Sequence, residues 1–133
     1  ATHSNSYTIY SHTRNLRDRH LKSIMELSGL VGISLCRTHL CDNTIETPTT
    51  DTVIRHIDYY LSQGAENVLS FGCDLDGTDL PDGISDISDI EKIANSLAKN
   101  GCSDELINKI FFTNAYNFIE KNLKPAKSQY YNV

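Results

Sequence analysis

Four side chains in this chain of 133 residues have types and positions that suit chemistry. Asp74 and Asp76 directly follow an apolar run, His3 lies in the polar opening run, and Arg14 precedes a helical pattern. A carboxylate can transfer protons, a neutral imidazole can bind zinc, and a guanidinium can hold a carboxylate through two hydrogen bonds. Taken singly, each is more often a solvated or turn-forming side chain, so the surrounding pattern must decide.

The acidic turn is compatible with phosphoryl transfer. Asp-x-Asp-Gly-Thr after an apolar strand resembles the nucleophile loop of the haloacid dehalogenase family, in which Asp74 would attack phosphorus and Asp76 would act as acid and base. That family requires several further strands after the loop, whereas residues 79–133 read as helices. The turn itself therefore matches the nucleophile loop well, but the elements that follow it do not match the family.

Two metal chemistries also compete for this turn. Calcium could use the four carboxylates that recur here, although an EF-hand needs its glycine one position later and a closing glutamate; these are Asp74, Asp76, Asp79 and Asp82. Metal-assisted hydrolysis would instead use Asp74 for proton transfer at the end of the last strand of a (β/α)8 barrel. This third chemistry fits the order of elements best, because only helices should follow a final barrel strand.

The elements that must position these groups alternate between helix and strand. The apolar runs 30–36 and 67–73 predict strands buried on both faces. A helical pattern precedes each, one between an expected N-cap at Asn15 and a stop at Gly29, the other from Pro48 to Gly64. This order predicts an α/β fold with parallel strands covered by helices.

Only helices are predicted after the second strand. A capping box at Ser88 opens one helix, Ser103 starts a short second one, and Asn114 is the expected cap of the last. We expect residues 1–123 to form one folded unit and residues 124–133 to form an irregular tail.

Composition limits the kinds of partner and the cellular compartment that we expect for this protein. A formal net charge of -5 provides no basic surface, so we expect no nucleic-acid partner. No signal peptide or spanning segment is visible, and we expect a cytoplasmic protein, although a segment preceding Ala1 could carry a signal. The four cysteines lack the spacing of a zinc ribbon and are expected to be reduced thiols; they are Cys36, Cys41, Cys73 and Cys102.

A wider pattern runs along nearly the whole chain. It comprises His3-Ser4-Asn5-Ser6, Arg14-Asn15-Leu16, Leu30-Val31-Gly32-Ile33, Gly72-Cys73-Asp74-Leu75-Asp76-Gly77 and Asn114. In this order and spacing the segments resemble the C-terminal part of the membrane dipeptidase (renal dipeptidase-like) family of zinc amidohydrolases. The resemblance implies an α/β fold of the TIM type, a (β/α)8 metal-dependent hydrolase barrel that is incomplete in this chain and begins here at the end of strand six.

The resemblance also implies a function and roles for three residues. A complete member binds two Zn²⁺ ions and hydrolyses dipeptides with a metal-bridging water. His3 matches a ligand of the second zinc, Arg14 matches the arginine that grips the substrate's terminal carboxylate, and Asp74 matches the aspartate that handles the proton. The remaining zinc ligands of the family have no counterpart in this chain, so we expect the isolated chain to be inactive.

Some positions depart from the family. Cys36 ends a strand that commonly ends in asparagine and aromatic residues, His39 lies near where a tyrosine can shape the substrate pocket, and Asn117 replaces a frequent arginine. His20 and His56 fall on predicted helices and are expected at the surface. These departures leave dipeptide specificity open.

The sequence thus predicts the C-terminal portion of a zinc dipeptidase whose parent is a homodimer. Two alternatives stay open: a phosphatase using Asp74 and Asp76, and a non-catalytic half-barrel that serves as an interaction fragment. The exposed edges of such a half-barrel would favour self-association.

Overall fold

A short parallel sheet lies at the centre of the fold. The computed structural model describes residues 1–123, and its two strands are β1 (Val31–Ile33) and β2 (Leu69–Phe71). They pair in parallel, with Val31 opposite Leu69, which confirms the predicted direction. Both are shorter than predicted. At the end of β1, the backbone of Ser34 bonds to the side-chain amide of Asn5.

Helices surround this sheet. In chain order they are α1 (Asp18–Glu26), α2 (Arg37–Leu40), α3 (Thr50–Ser62), α4 (Ile90–Lys99), α5 (Asp104–Asn108) and α6 (Asn114–Asn122). The 3₁₀ turn Ile87–Asp89 precedes α4, and the π-helical turn Lys109–Thr113 joins α5 to α6. Helix α3 packs against β1 and α4, whereas α6 packs against β2. In the described part of the chain no strand follows β2, as predicted.

The core lies between the sheet and these helices. Its largest wholly buried apolar side chains are Leu21, Ile33, Leu35, Leu40, Ile57, Tyr60, Leu69, Ile93, Leu97 and Ile110. His56 lies among them on α3 with no exposed surface, so its predicted surface position is wrong. Its ring accepts a hydrogen bond from the Ser6 amide at 3.0 Å and contacts the Leu40 carbonyl oxygen at 2.8 Å, which satisfies both nitrogens. His20 is exposed, as predicted.

Three predicted helix caps are wrong. Ser88 does not cap α4, because it lies inside the 3₁₀ turn Ile87–Asp89 and its amide donates to the side chain of Asp86 at 2.8 Å. The N-cap of α1 is Arg17 and not Asn15, whose side-chain nitrogen instead donates to the carbonyl oxygens of Tyr10 and His39. Asn114 does not cap a helix either, since α5, the π-helical turn and α6 are continuous. Its buried side chain donates instead to the Leu69 carbonyl oxygen at 2.7 Å. In both cases the asparagine fastens one element to another.

Several other expectations can be compared with the structure. All four cysteines are free thiols, and Cys36 and Cys41 are buried. Among residues 1–123 no helix combines the length and apolarity needed to cross a membrane. The predicted irregular tail, residues 124–133, lies outside the described residues.

Candidate functional site

His3 lies at the carboxyl end of the sheet, half-buried beside the acidic turn. Its Nδ1 atom contacts the carbonyl oxygen of Gly72. A carbonyl oxygen can only accept, so Nδ1 carries the proton and Nε2 keeps its lone pair. Zinc-binding histidines are typically oriented by this kind of hydrogen bond through the ring nitrogen that does not bind the metal. The geometry therefore fits His3 as a metal ligand through Nε2.

The segment that carries His3 is fixed to β1. The Ser4 amide donates to the Gly32 carbonyl oxygen at 2.8 Å, and the Gly32 amide donates to Ala1 at the same distance. Asn5 is wholly buried and bonds both the amide and the carbonyl of Ser34, each at 3.1 Å. These contacts extend the hydrogen bonding of β1 by a further stretch of chain and hold His3 at its end.

Arg14 lies in an exposed loop that is fixed by hydrogen bonds of the neighbouring Asn15. The Asn15 side chain is buried and donates to the carbonyl oxygens of Tyr10 at 2.9 Å and of His39 at 2.8 Å. Within residues 1–123 the guanidinium of Arg14 makes no hydrogen bond or ion pair, whereas its backbone amide donates to His12 at 3.3 Å. The loop is fixed in place, and the guanidinium keeps its donors available within residues 1–123. Both features suit the binding of a carboxylate.

Asp74 is half-buried at the first position of the turn that follows β2. Its φ of +63° places it in the left-handed region, which costs non-glycine residues energy and which asparagine and aspartate adopt more readily than most. The amide of Gly77 donates to the Asp74 carbonyl oxygen at 3.2 Å and closes the turn. The chain thus reverses around this carboxylate.

His39 connects the predicted site residues. Its pKa is lowered, first by burial and then by the neighbouring His12 and Arg14, while the Asp74 carboxylate raises it and His3 lowers it slightly. All three predicted site residues are therefore near enough for their charges to act on one imidazole. The His39 ring packs on that of His12 with centroids 4.7 Å apart, and its buried Nδ1 has no hydrogen-bond partner within the described residues.

Sequence reasoning placed His39 near a substrate pocket but gave it no role. Its signal was only a position shortly after β1, where loops at the carboxyl ends of parallel strands converge. His12 was considered only as a histidine not spaced to replace the missing zinc ligands. Its partner His39 lies 27 positions away, and nothing in either local pattern indicates the contact between the rings.

The other carboxylates of the acidic turn do not join Asp74. Asp76 and Asp79 are exposed, and Asp82 forms an ion pair with Arg37 at 2.6 Å. Within residues 1–123 no three histidine, cysteine, aspartate or glutamate side chains are grouped so that they could hold a metal ion. The described carboxylates of this turn therefore do not form the calcium loop considered above, and His3 has no grouped companion donors for a metal among residues 1–123.

His3, Arg14 and Asp74 together supply groups that can take part in catalysis. An imidazole nitrogen, a guanidinium and a carboxylate lie around the carboxyl ends of two parallel strands, where α/β enzymes assemble their active sites. They are suited to hold a metal, hold an anionic group and move a proton. This places the chain among α/β proteins with a hydrolase-like site.

The comparisons with known proteins specify the family. Residues 1–130 match the membrane dipeptidase family (Peptidase family M19), and the chain belongs to it. An uncharacterised Klebsiella pneumoniae protein from the 5' region of pqqA is 32% identical over 117 residues, which cover 86% of this chain and 43% of that protein.

Two solved structures are similar as well. A dipeptidase described as a metallopeptidase of family M19 is 31% identical with a TM-score of 0.83, over 90% of this chain and 36% of that one. A Rhodobacter sphaeroides metallopeptidase, liganded with a phosphinate mimic of the dipeptide L-Ala-D-Ala, is 30% identical with a TM-score of 0.83. The match covers 90% of this chain and 35% of that one. The chain thus spans less than half the length of these three relatives.

Proposed function

We propose that this chain forms the C-terminal portion of a zinc-dependent dipeptidase built on a (β/α)8 barrel. The observation that carries the proposal is the match of residues 1–130 to the membrane dipeptidase family. In this chain His3 lies at the carboxyl end of the sheet against the Gly72 carbonyl oxygen, and Asp74 begins the turn that follows β2. The same family membership favours this function over a phosphatase that uses Asp74 and Asp76, since the family is one of peptidases.

Each residue has a task that its surroundings permit. His3 holds zinc through Nε2, and the metal, when bound, lowers the pKa of water and polarises a carbonyl group. Arg14 holds the free carboxylate of a dipeptide through two parallel hydrogen bonds. Asp74 accepts a proton during attack on the peptide carbonyl and returns it to the departing amine.

A cavity beside His3 supports the view that further polypeptide belongs on this face. It has a volume of about 530 Å³ and is lined mostly by apolar side chains, among them Ile24, Leu30, Phe71 and Phe118. Leu27, also in its wall, has 82% of its surface exposed. Exposed apolar areas of this kind commonly mark contact surfaces. We propose that the remaining barrel strands of a complete enzyme cover it.

Activity of the complete polypeptide tests this function. The chain is expressed together with the coding region upstream of Ala1, and zinc content and hydrolysis of L-Ala-D-Ala are measured. We expect zinc-dependent hydrolysis that Asp74→Asn reduces at least about 100-fold, as for a general acid or base. The 133-residue chain alone should show none, because no three candidate zinc donors are grouped among its described residues. Hydrolysis by the 133-residue chain itself, or none by the longer polypeptide, would contradict the proposal.

The apolar cavity beside His3 also bears on whether copies of this chain associate with one another. We propose that the complete enzyme is a dimer and that the 133-residue chain, when produced alone, self-associates through the cavity that Leu27 borders. Sedimentation velocity across a range of concentrations should show a mass that rises with concentration. Leu27→Glu should reduce this rise, whereas the same change at the exposed Ile45, which does not line the cavity, should not. If the 133-residue chain without substitutions stays monomeric at every concentration, the proposed self-association is refuted.

A further inference from the structure

We propose that Gly77 is a positioning residue for Asp74, because its missing side chain leaves the space that the Asp74 carboxylate occupies. The steric part of this inference stands on the geometry of the turn alone. Its consequence for catalysis rests on the proposed function, in which Asp74 transfers the proton.

The space at Gly77 is already filled by the carboxylate. A Cβ atom added to Gly77 would lie 2.3 Å from Oδ1 of Asp74, 3.1 Å from its Cγ and 3.5 Å from its Oδ2. These are the three nearest atoms, and all belong to one side chain. Non-bonded carbon and oxygen atoms do not approach to 2.3 Å, so any side chain at position 77 would turn the Asp74 carboxylate away from its present direction.

Conformational freedom does not explain the glycine at this position. Gly64, Gly83 and Gly101 have φ values of +82°, +88° and +90°, which favour glycine, whereas Gly77 does not lie in this region. Gly77 therefore serves to leave room. Asp74, in contrast, does adopt the left-handed conformation, with a φ of +63°. The strained backbone conformation of Asp74 and the missing side chain at Gly77 together fix the direction of the Asp74 carboxylate.

A stability cycle on the 133-residue chain tests the steric claim. In the wild-type background, Gly77→Ala should lower the melting temperature by about 2–6 °C, because the carboxylate must leave the position it has in the folded chain. In the background of Asp74→Gly, where the carboxylate is gone and the left-handed backbone is tolerated, the same change should raise it by about 1–3 °C. Gly83→Ala is the matched control and should lower it equally in both backgrounds, since its strain comes from its own φ and no atom lies within 4 Å of the added Cβ.

The cycle has a clear contrary outcome. If Gly77→Ala has the same effect with and without the Asp74 side chain, the two residues do not interact and the proposal is wrong. If Gly77→Ala prevents folding in the wild-type background, folding of the double variant supports the proposal and failure of the double variant overturns it.

An activity measurement on the longer polypeptide tests the consequence for catalysis. Gly77→Ala should lower kcat for L-Ala-D-Ala about 100-fold and change KM less than about 3-fold, because a displacement of about 1 Å affects the reacting geometry more than binding. Loss of activity in Asp74→Asn with full kcat in Gly77→Ala would refute the positioning role while the proposed function stands. Full activity in Asp74→Asn would refute the proposed role of Asp74, whatever the stability cycle shows.

Discussion

The buried imidazole of His56 should make the stability of this protein depend on pH. Burial lowers the pKa of His56 to about 4 from an ordinary value of 6.5, although the hydrogen bond to the Leu40 carbonyl oxygen acts in the opposite direction. The ring is neutral in the folded protein, since one nitrogen accepts from the Ser6 amide and the other bonds to Leu40. Protonation would place a donor opposite the Ser6 donor and a charge in the apolar core.

The sign and size of the effect follow from this difference in pKa. Above pH 6.5 both the folded and the unfolded chain hold His56 neutral, and its contribution is constant. Between pH 6.5 and about 4 only the unfolded chain takes up the proton, so the free energy of unfolding falls as the pH falls. A pKa difference of about 2.5 corresponds to a loss of about 3 kcal/mol by pH 4.

Urea unfolding of the wild type and of His56→Gln between pH 4 and pH 8 measures this term. At pH 8 the variant should be less stable by about 1–3 kcal/mol, because glutamine cannot bond both Ser6 and Leu40. Toward pH 4 the difference should change by about 3 kcal/mol in favour of the variant, so it should vanish or reverse sign, because the wild type carries the cost of its histidine there. His20→Gln, at an exposed position, is the control and should match the wild type at every pH. A difference that stays constant with pH would refute this account of His56.

Three further changes have expected outcomes. Gly72→Ala should lower the free energy of unfolding in urea by more than about 2 kcal/mol, because the added Cβ would lie 1.5 Å from the carbonyl oxygen of Thr2; unchanged stability would contradict this. Asn114→Ala should cost about 1–3 kcal/mol in the same assay, since it leaves a buried carbonyl oxygen of β2 without its donor. Asp82→Asn should cost less than about 1 kcal/mol, an effect that 1 M salt should reduce, because Asp82 is exposed where it pairs with the half-buried Arg37.

The alternation of helices and strands was predictable from the sequence because it depends on local periodicity. Apolar residues at helical spacing predicted α1, α3 and α4, and two apolar runs predicted the parallel pair β1 and β2. The short helix α2 was not predicted, since four residues are too few for a periodic signal. The continuous helix from α5 to α6 was divided in the prediction because Asn114 resembles a cap when only its neighbours in sequence are considered.

The buried polar residues were much harder to predict. Asn5, Asn15, His56 and Asn114 each bind backbone groups of another element, and each partner is at least five positions away in the chain. Burial of an amide or imidazole is favourable only when its partners are in place, and these partners exist only after folding. Local patterns therefore place such residues at caps or on the surface by default, as happened with Asn15, Asn114 and His56.

The same reasoning applies to the candidate site, where family order was informative and local spacing was not. His3, Arg14 and Asp74 are 11 and 60 positions apart in sequence, and only the fold brings them to the surroundings of His39. Each is oriented by a backbone contact: His3 by the Gly72 carbonyl, Arg14 through the loop that Asn15 holds, and Asp74 by a turn that closes at the amide of Gly77. Backbone contacts do not depend on the neighbouring side chains, so the direction of these groups can persist when a neighbouring side chain such as that of His39 is replaced.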